Sequence, residues 1–267
     1  MSEPASHFQR FRIDVAYDGR RFDGWQSQPE GNTIQDHLQA SATKICPGVA
    51  TVQGSGRTDS GVSAAGQVAH FDVPGDWRMG PVEWQKALNA NLPAAIRILN
   101  CEAVPADFHA RFSAEGKCYV YRIETGDVLP PLLAGLAWHR RGFDPDGRLE
   151  EVARLFEGTH DFRSFSANRN DGKDESRDTI RVISSVTVDR EEADSIKIGF
   201  CGNGFLYKMV RFLVGSAVYC IEGKFPPPEI IALLQGADRD RKAPFCAPAD
   251  GLSLERVLYP PEFFPKP

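Results

Sequence analysis

Residues 54–73 read Gly-Ser-Gly-Arg-Thr-Asp-Ser-Gly-Val-Ser-Ala-Ala-Gly-Gln-Val-Ala-His-Phe-Asp-Val. Glycines surround one arginine, Arg57, and one aspartate, Asp59. The stretch then runs into a strand-like alternation in which Ala69, Phe71 and Val73 share a face. Glycines let a backbone take positive φ and approach another molecule closely. A turn of this kind, anchored by a strand, directs its polar side chains instead of leaving them loose. An arginine beside a carboxylate favours the charged form of that carboxylate. A positioned, ionised carboxylate can act as a nucleophile or as a general base. Asp59-Ser60-Gly61 is also a common turn tripeptide, because Asp bonds its own backbone and Gly tolerates left-handed geometry. The segment is not a phosphate loop. It lacks the Gly-Lys-Ser/Thr ending, and Asp59 stands where a dinucleotide fingerprint needs its third small residue.

Two later stretches carry comparable chemistry. Phe108-His109-Ala110-Arg111-Phe112-Ser113-Ala114 leads to Lys117-Cys118-Tyr119-Val120-Tyr121. The ring of Tyr119 offers a flat face to an unstacked base, an interaction worth roughly 1–3 kcal/mol. The same Tyr-x-Tyr-x-Ile alternation also describes the buried face of a strand. Gly202-Asn203-Gly204-Phe205-Leu206-Tyr207-Lys208-Met209-Val210-Arg211 enters a helix. Lys208 and Arg211 lie three apart and are expected to share a helical face. The rest of that helix is broadly apolar, so a partly buried Arg211 needs an anionic partner, unless it faces solvent at the helix edge. His7, His37, His70, His109, His139 and His160 are isolated from one another and from paired carboxylates, which predicts no metal site.

The elements that must hold these residues follow from periodicity. Phe11, Ile13, Val15 and Tyr17 alternate as a strand. Thr33-Ile34-Gln35-Asp36 reads as a capping box for a helix carrying Ile34, Leu38, Ala42 and Ile45. Pro81 opens a second helix, to about Asn89. In the second half, Tyr119 to Ile123, Ile180 to Val188, Ile196 to Phe200 and Leu252 to Tyr259 read as strands. Helices are expected around Leu149 to Phe156, from about Tyr207 to Ile221 with Gly223 as C-cap, and over Ile230 to Leu234. Strands and helices mix without strict β-α-β-α order, which predicts an α+β protein with a largely antiparallel sheet. The division falls near residue 112, between an N-terminal half, 1–112, with the Asp loop and a C-terminal half, 113–267, with the Tyr strand and the Arg helix.

With 42% hydrophobic and 25% charged residues, the chain can bury an ordinary core and is not disordered. No apolar run approaches the roughly 20 residues that span a bilayer, and the N-terminal residues lack the apolar region of a secretory signal. The six cysteines are scattered without a C-x-x-C pair, which predicts neither a zinc site nor a disulfide framework and fits a reducing cytoplasm. The net charge of −5 does not exclude nucleic acid, because a local basic surface can bind phosphates on an acidic protein. Short basic clusters occur at Arg10 and Arg12, Arg20 and Arg21, Arg140 and Arg141, and Arg239, Arg241 and Lys242.

Gly56-Arg57-Thr58-Asp59-Ser60-Gly61-Val62, followed by Gln67-Val68-Ala69-His70-Phe71, resembles the signature of the TruA family of tRNA pseudouridine synthases, approximately G-R-T-D-A-G-V-H-A and then Q-V-x-H-F. The chain departs from it at Ser60, where the family has Ala, and at Ser63, where the family has His. The blocks around Tyr119 and Arg211 are similar to the family too, as are Phe22-Asp23-Gly24-Trp25-Gln26-Ser27-Gln28 and Ala247-Pro248-Ala249-Asp250-Gly251-Leu252. The blocks stand in family order over nearly the whole chain. The resemblance implies two similar α/β halves whose sheets join, with an RNA-binding cleft between them. It implies Asp59 as the catalytic residue, Tyr119 against the target base, Arg211 paired with the aspartate and Arg57 in the same site. The implied reaction isomerises uridine to pseudouridine at nucleotides 38, 39 and 40 of the tRNA anticodon stem-loop, needs no cofactor, and is carried out by a homodimer. Two other functions compete with it. An aspartic protease would need a second D-S/T-G, which the chain lacks. A non-catalytic RNA-binding module would have no use for a buried aspartate set among Arg57, Tyr119 and Arg211.

Overall fold

The computed structural model describes residues 8–145, 147–169, 172, 176–192, 194–236 and 241–263. His7 and Arg239, singled out above, lie outside the described residues. The chain divides into two compact units, one holding the described residues up to Glu115 with those from Leu254 on, the other Gly116–Ser253. Both mix strands and helices, and the α+β class expected from the sequence is the observed one.

The first unit is built on β1 (Phe8–Tyr17), α1 (Ile34–Ile45), β2 (Gln53–Gly54), β3 (Ser63–Pro74), α2 (Pro81–Asn91) and β4 (Ile96–Val104). β1 lies between β4 and β3, antiparallel to both, and β2 adds to β3. Alternation along β1 buries Phe11, Ile13, Val15 and Tyr17 on one face. Phe11 stacks on Phe71 at 5.8 Å between ring centroids, and Trp84 of α2 closes on Phe71 edge-to-face at 4.9 Å. This pattern makes β1 the centre of the unit and leaves α1 and α2 to cover its apolar side. α1 starts where the capping box predicts: Thr33 Oγ1 accepts the Asp36 N–H at 3.2 Å and donates to the Asp36 carboxylate. Such a cap is worth about 1 kcal/mol.

β3 is buried on its second face as well, where Val68, Phe108 and Ala110 form a small core with Val257 and Tyr259. His70 sits there, 1% exposed, and its Nδ1 accepts the Ala110 N–H at 3.1 Å. Burial, reinforced by His109 and Arg10, pushes its pKa down to about 4. A folded-state pKa below the unfolded value near 6.5 means that the unfolded chain binds the extra proton. The stabilisation from neutral His70 is therefore complete above pH 6.5 and is lost as pH falls toward 4, by an amount on the order of 2–3 kcal/mol. Urea midpoints at pH 7 and pH 5 should differ accordingly, and His70→Gln should flatten the difference. An undiminished pH dependence in that variant would remove His70 as its cause.

The second unit holds β5 (Gly116–Glu124), β6 (Trp138–His139), α3 (Arg148–Arg154), β7 (Gly158–Asp161), β8 (Ile180–Glu192), β9 (Ser195–Gly202), α4 (Met209–Ile221) and α5 (Pro227–Leu234). Its strands run β5-β9-β8-β7, antiparallel throughout, with β6 parallel to β5. α4 is buried along most of its length and packs against α3. The last strand, β10 (Leu252–Leu258), begins in this unit, but its residues from Leu254 on belong to the first unit, beside β3. Among the described residues no helix is long and apolar enough to cross a membrane.

Two expectations are corrected. α4 begins at Met209, so Lys208 is not on the helix with Arg211; it is the N-cap, at φ +60°. A left-handed N-cap turns its side chain off the helical row on which a three-residue spacing would have placed it. The absence of a disulfide framework is overturned by a Cys118–Cys201 bond. The two cysteines are 83 residues apart along the chain, and the β5–β9 register sets them directly opposite each other.

Candidate active site

Asp59 stands on the loop between β2 and β3, half-buried and held from its backbone side. The Trp25 N–H donates to Thr58 O at 3.1 Å, the Val62 N–H to Asp59 O at 3.1 Å, and the Ser60 hydroxyl to Phe22 O at 3.2 Å. Gly24 makes this approach possible. It has φ +86°, and a Cβ there would stand 2.6 Å from Thr58 O and 3.1 Å from the Asp59 carbonyl carbon. Gly19 plays the same part at the far side of the loop, where a Cβ would collide with the backbone carbonyl of Val62. Thr58 is fixed from below by Tyr17, whose hydroxyl lies 2.8 Å from Thr58 Oγ1. Burial raises the Tyr17 pKa to about 12, so the phenol stays protonated and the pair remains a neutral hydrogen bond at any working pH. The glycine-rich stretch is thus a rigid platform.

The Trp25-Gln26 segment extends the platform. Arg57 Nε donates to Gln26 Oε1 at 3.1 Å, which directs the exposed guanidinium; Gln26 Nε2 in turn donates to Gln35 Oε1 at 2.7 Å. Gln35 is buried at the start of α1 and donates to Val52 O at 2.8 Å, so a chain of amides carries the orientation of Arg57 back into the core. Gln67 works on the other flank: its Oε1 accepts from the Ser55 hydroxyl at 2.6 Å, and its Nε2 donates to Gly56 O at 3.1 Å. Ser63, where the family pattern has His, accepts the Gly19 N–H on its hydroxyl oxygen at 3.0 Å. Sequence reasoning finds Arg57 and Asp59 but misses Tyr17, Gly19, Gly24, Gln35 and Gln67. Gly24 and Gln67 lie in the Gly-Trp-Gln and Gln-Val-x-His-Phe blocks, which are the signal for those two.

Tyr119 and Arg211 belong to the second unit. Tyr119 is nearly buried on β5, with its ring edge-to-face with Phe205 at 5.0 Å. Arg211 is half-buried on the first turn of α4; its Nε donates to Ala247 O at 2.7 Å and its own carbonyl accepts the Ala247 N–H at 3.0 Å. The Tyr121 hydroxyl donates to Pro248 O at 2.9 Å, so the Ala247-Pro248-Ala249 segment is clamped between α4 and β5. Burial pushes the Tyr121 hydroxyl well above its ordinary range, and Arg211 opposes that shift.

The basic clusters that stand out in the sequence are largely neutralised. Arg10 grips Asp72 with two hydrogen bonds of 2.7 and 2.8 Å, Arg12 meets Asp14 at 2.7 Å, and Arg20 meets Asp18 at 2.6 Å. Arg140 pairs with Glu222, Arg141 with Asp127 at 2.9 Å, and Arg241 with Glu229 at 2.6 Å. Among the described residues no group of three His, Cys, Asp or Glu side chains converges as metal ligands would.

Comparison with known proteins bears on the whole chain. A family model described as tRNA pseudouridine synthase matches residues 14–113 and 152–260. The tRNA pseudouridine synthase A of Akkermansia muciniphila is 45% identical over 256 residues, covering 96% of this chain and 97% of that protein. The protein of the same name from Syntrophotalea carbinolica is 39% identical over 252 residues, covering 94% and 96%.

Proposed function

Because this chain belongs to the tRNA pseudouridine synthase family, we propose that it isomerises uridine to pseudouridine at positions 38, 39 and 40 of the tRNA anticodon stem-loop, in the cytoplasm. Asp59 is the catalytic group, and Arg57, Tyr119 and Arg211 bind the substrate. The observation that carries the reading is the platform under Asp59: an acidic side chain on a loop tied to the adjoining 22–25 turn through Thr58 O and the Ser60 hydroxyl, and closed on itself by the Val62 N–H to Asp59 O bond. Positioning of this kind is what a nucleophile or base requires and what a surface turn does not. The reaction breaks the N1–C1′ bond, turns the uracil and rejoins it through C5, so no electrons are gained or lost. Asp59 acts either by adding to C1′ or by taking the 2′ proton. A target inside a stem must first be unstacked and flipped, at a cost of a few kcal/mol.

The test is tritium release from tRNA labelled at uridine C5, since the C5 hydrogen leaves when the new carbon–carbon bond forms. Release without added metal, nucleotide or reductant is expected; none from any tRNA would end the proposal. Tyr119→Phe keeps the ring and loses only the hydroxyl. Its tRNA affinity should hold while turnover falls roughly 10- to 100-fold, the range for one hydrogen bond to a charged group at about 1.5–3 kcal/mol. Turnover equal to wild type would leave Tyr119 a packing residue. The enzyme is proposed to work as a homodimer, which light scattering at working concentration checks directly.

A further inference from the structure

The loop between β4 and β5, in the first unit, is packed on one side and bare on the other. Phe108 and Ala110 lie in the small core on the second face of β3, and Arg10 donates to Phe108 O at 2.7 Å and to Ala106 O at 2.6 Å. The Tyr259 hydroxyl donates to Ala110 O at 2.6 Å. His109 closes the turn on itself. Its N–H donates to the Ser113 hydroxyl oxygen at 2.9 Å, its carbonyl accepts the Ser113 N–H at 2.9 Å, and its Nδ1 accepts the N–H groups of Arg111 and Phe112 at 3.1 and 3.3 Å. Burial and the nearby Arg10 lower the His109 pKa, which keeps Nδ1 unprotonated and able to accept. Nε2 is then the donor, to Gln53 Oε1 at 3.1 Å, and Gln53 stands on β2, the strand that leads into the 54–59 loop. This turn presents Phe112 and Arg111 to solvent. Phe112 is 77% exposed, more than any other aromatic side chain among the described residues, and its ring leans on His109 at 4.3 Å between centroids. The Arg111 guanidinium lies 5.7 Å from the same ring. Arg10, Arg12 and Arg20 of this unit each meet a carboxylate, whereas Arg111 makes no ion pair. Asp107, the carboxylate on its own turn, acts on Arg10. Arg57, four residues beyond Gln53, is likewise exposed and is held by an amide, not by a carboxylate.

We propose that Phe112 and Arg111 form a nucleotide-binding platform for the RNA substrate, on which an unpaired base stacks against the Phe112 ring while Arg111 contacts the phosphate beside it. This rests on the reading of the chain as a tRNA-modifying enzyme. A bare ring forgoes the burial that an apolar side chain otherwise gains, and a turn tied this closely holds it in one place. A fixed aromatic face takes an unstacked base whatever its sequence, and a guanidinium next to it takes the backbone charge. The bond from His109 to Gln53 joins the platform to the strand that carries the Asp59 loop, so a base held there sets the register of the RNA at that loop. That continuity, with a cation that no carboxylate neutralises, favours RNA over a second copy of the chain as the occupant.

The experiment is a fluorescence-anisotropy titration of an end-labelled anticodon stem-loop RNA against the full chain over a range of KCl concentrations. Phe112→Ala should weaken binding roughly 5- to 150-fold, the worth of one base on an aromatic face, and should keep the wild-type salt slope, because the ring neutralises no phosphate. Phe112→Leu, apolar but without a flat face, should lose affinity in the same way, and Phe112→Trp should retain it. Arg111→Gln should instead shrink the log–log salt slope, by about 0.7–0.9 for the phosphate it no longer neutralises. Leu99→Ala, an exposed apolar change on β4, should alter neither quantity. Thermal melts accompany each variant, and the leucine and tryptophan variants carry the test if the alanine variant fails to fold. Wild-type affinity in Phe112→Leu, or a wild-type slope in Arg111→Gln, would overturn the proposal. So would light scattering in which Phe112→Ala has a smaller mass than wild type at the same concentration, since the ring would then serve a second copy. Tritium release separates this from the functional reading. A wild type that releases tritium, with Phe112 variants that bind as it does, removes the platform alone. A wild type that releases none, with affinity that still falls in Phe112→Ala and Phe112→Leu, removes the reaction alone.

Discussion

Asp59→Asn should fold, bind tRNA and release no tritium from C5-labelled uridine. The amide is nearly the size of the carboxylate, and the loop's bonds through the backbone oxygens of Thr58 and Asp59 and through the hydroxyls of Thr58 and Ser60 survive the substitution. Folding and RNA binding should therefore survive. The charge does not. An amide neither adds to C1′ nor takes a proton from C2′ near neutral pH, so the loss should reach about 10⁴-fold or more, as when the reacting group of a covalent catalyst is removed. Thermal melts and anisotropy on the same preparation guard against misfolding. Turnover within about tenfold of wild type would sink the assignment of Asp59.

Gly24→Ala should have the next largest effect, although residue 24 has no side chain to offer the substrate. The substitution faces two obstacles. Residue 24 is held at φ +86°, which an L side chain resists, and the new methyl would come within 2.6 Å of Thr58 O, a backbone atom with little freedom to move. Relief requires the 24–25 turn to retreat, which stretches the Trp25 N–H bond to Thr58 O and displaces Asp59. A misplacement of about 1 Å at a reacting group costs on the order of 10²-fold in rate, and the strain should lower stability by about 1–3 kcal/mol. Gly31→Ala separates the causes. That glycine also has positive φ, +73°, but nothing lies within 4 Å of its added methyl, so the variant should be mildly destabilised and fully active. Equal activity in the two variants would mean that backbone strain, and not contact with the loop, governs residue 24.

Much of the local architecture is legible from the residues. The alternation in β1, the Thr33 cap, Pro81 at the head of α2 and Gly223 beyond α4 all appear where the pattern puts them. Each depends on neighbours a few positions away. β4 (Ile96–Val104) escapes that reading, because its pairing with β1 is what makes it a strand. α4 starts later than its apolar pattern predicts, because the left-handed turn at Lys208 has no glycine to announce it.

The sequence by itself determined the chemistry that is available: one aspartate in a glycine-rich turn, its arginine, a strand tyrosine, a helix arginine, and the order of motifs by which the family is recognised. Tertiary structure decided what those residues rest on. It brought Trp25 to Thr58, Gly19 to Val62 and Gln67 to Gly56, and it set Cys118 opposite Cys201. It also paired conspicuous arginines with carboxylates, Arg10 with Asp72 and Arg141 with Asp127. The reason is physical. Helix and strand periods are written in spacings of two to four residues, whereas a clamp on a loop or a cross-strand pair of cysteines depends on which distant backbones pack side by side. That is settled only when the chain buries its core.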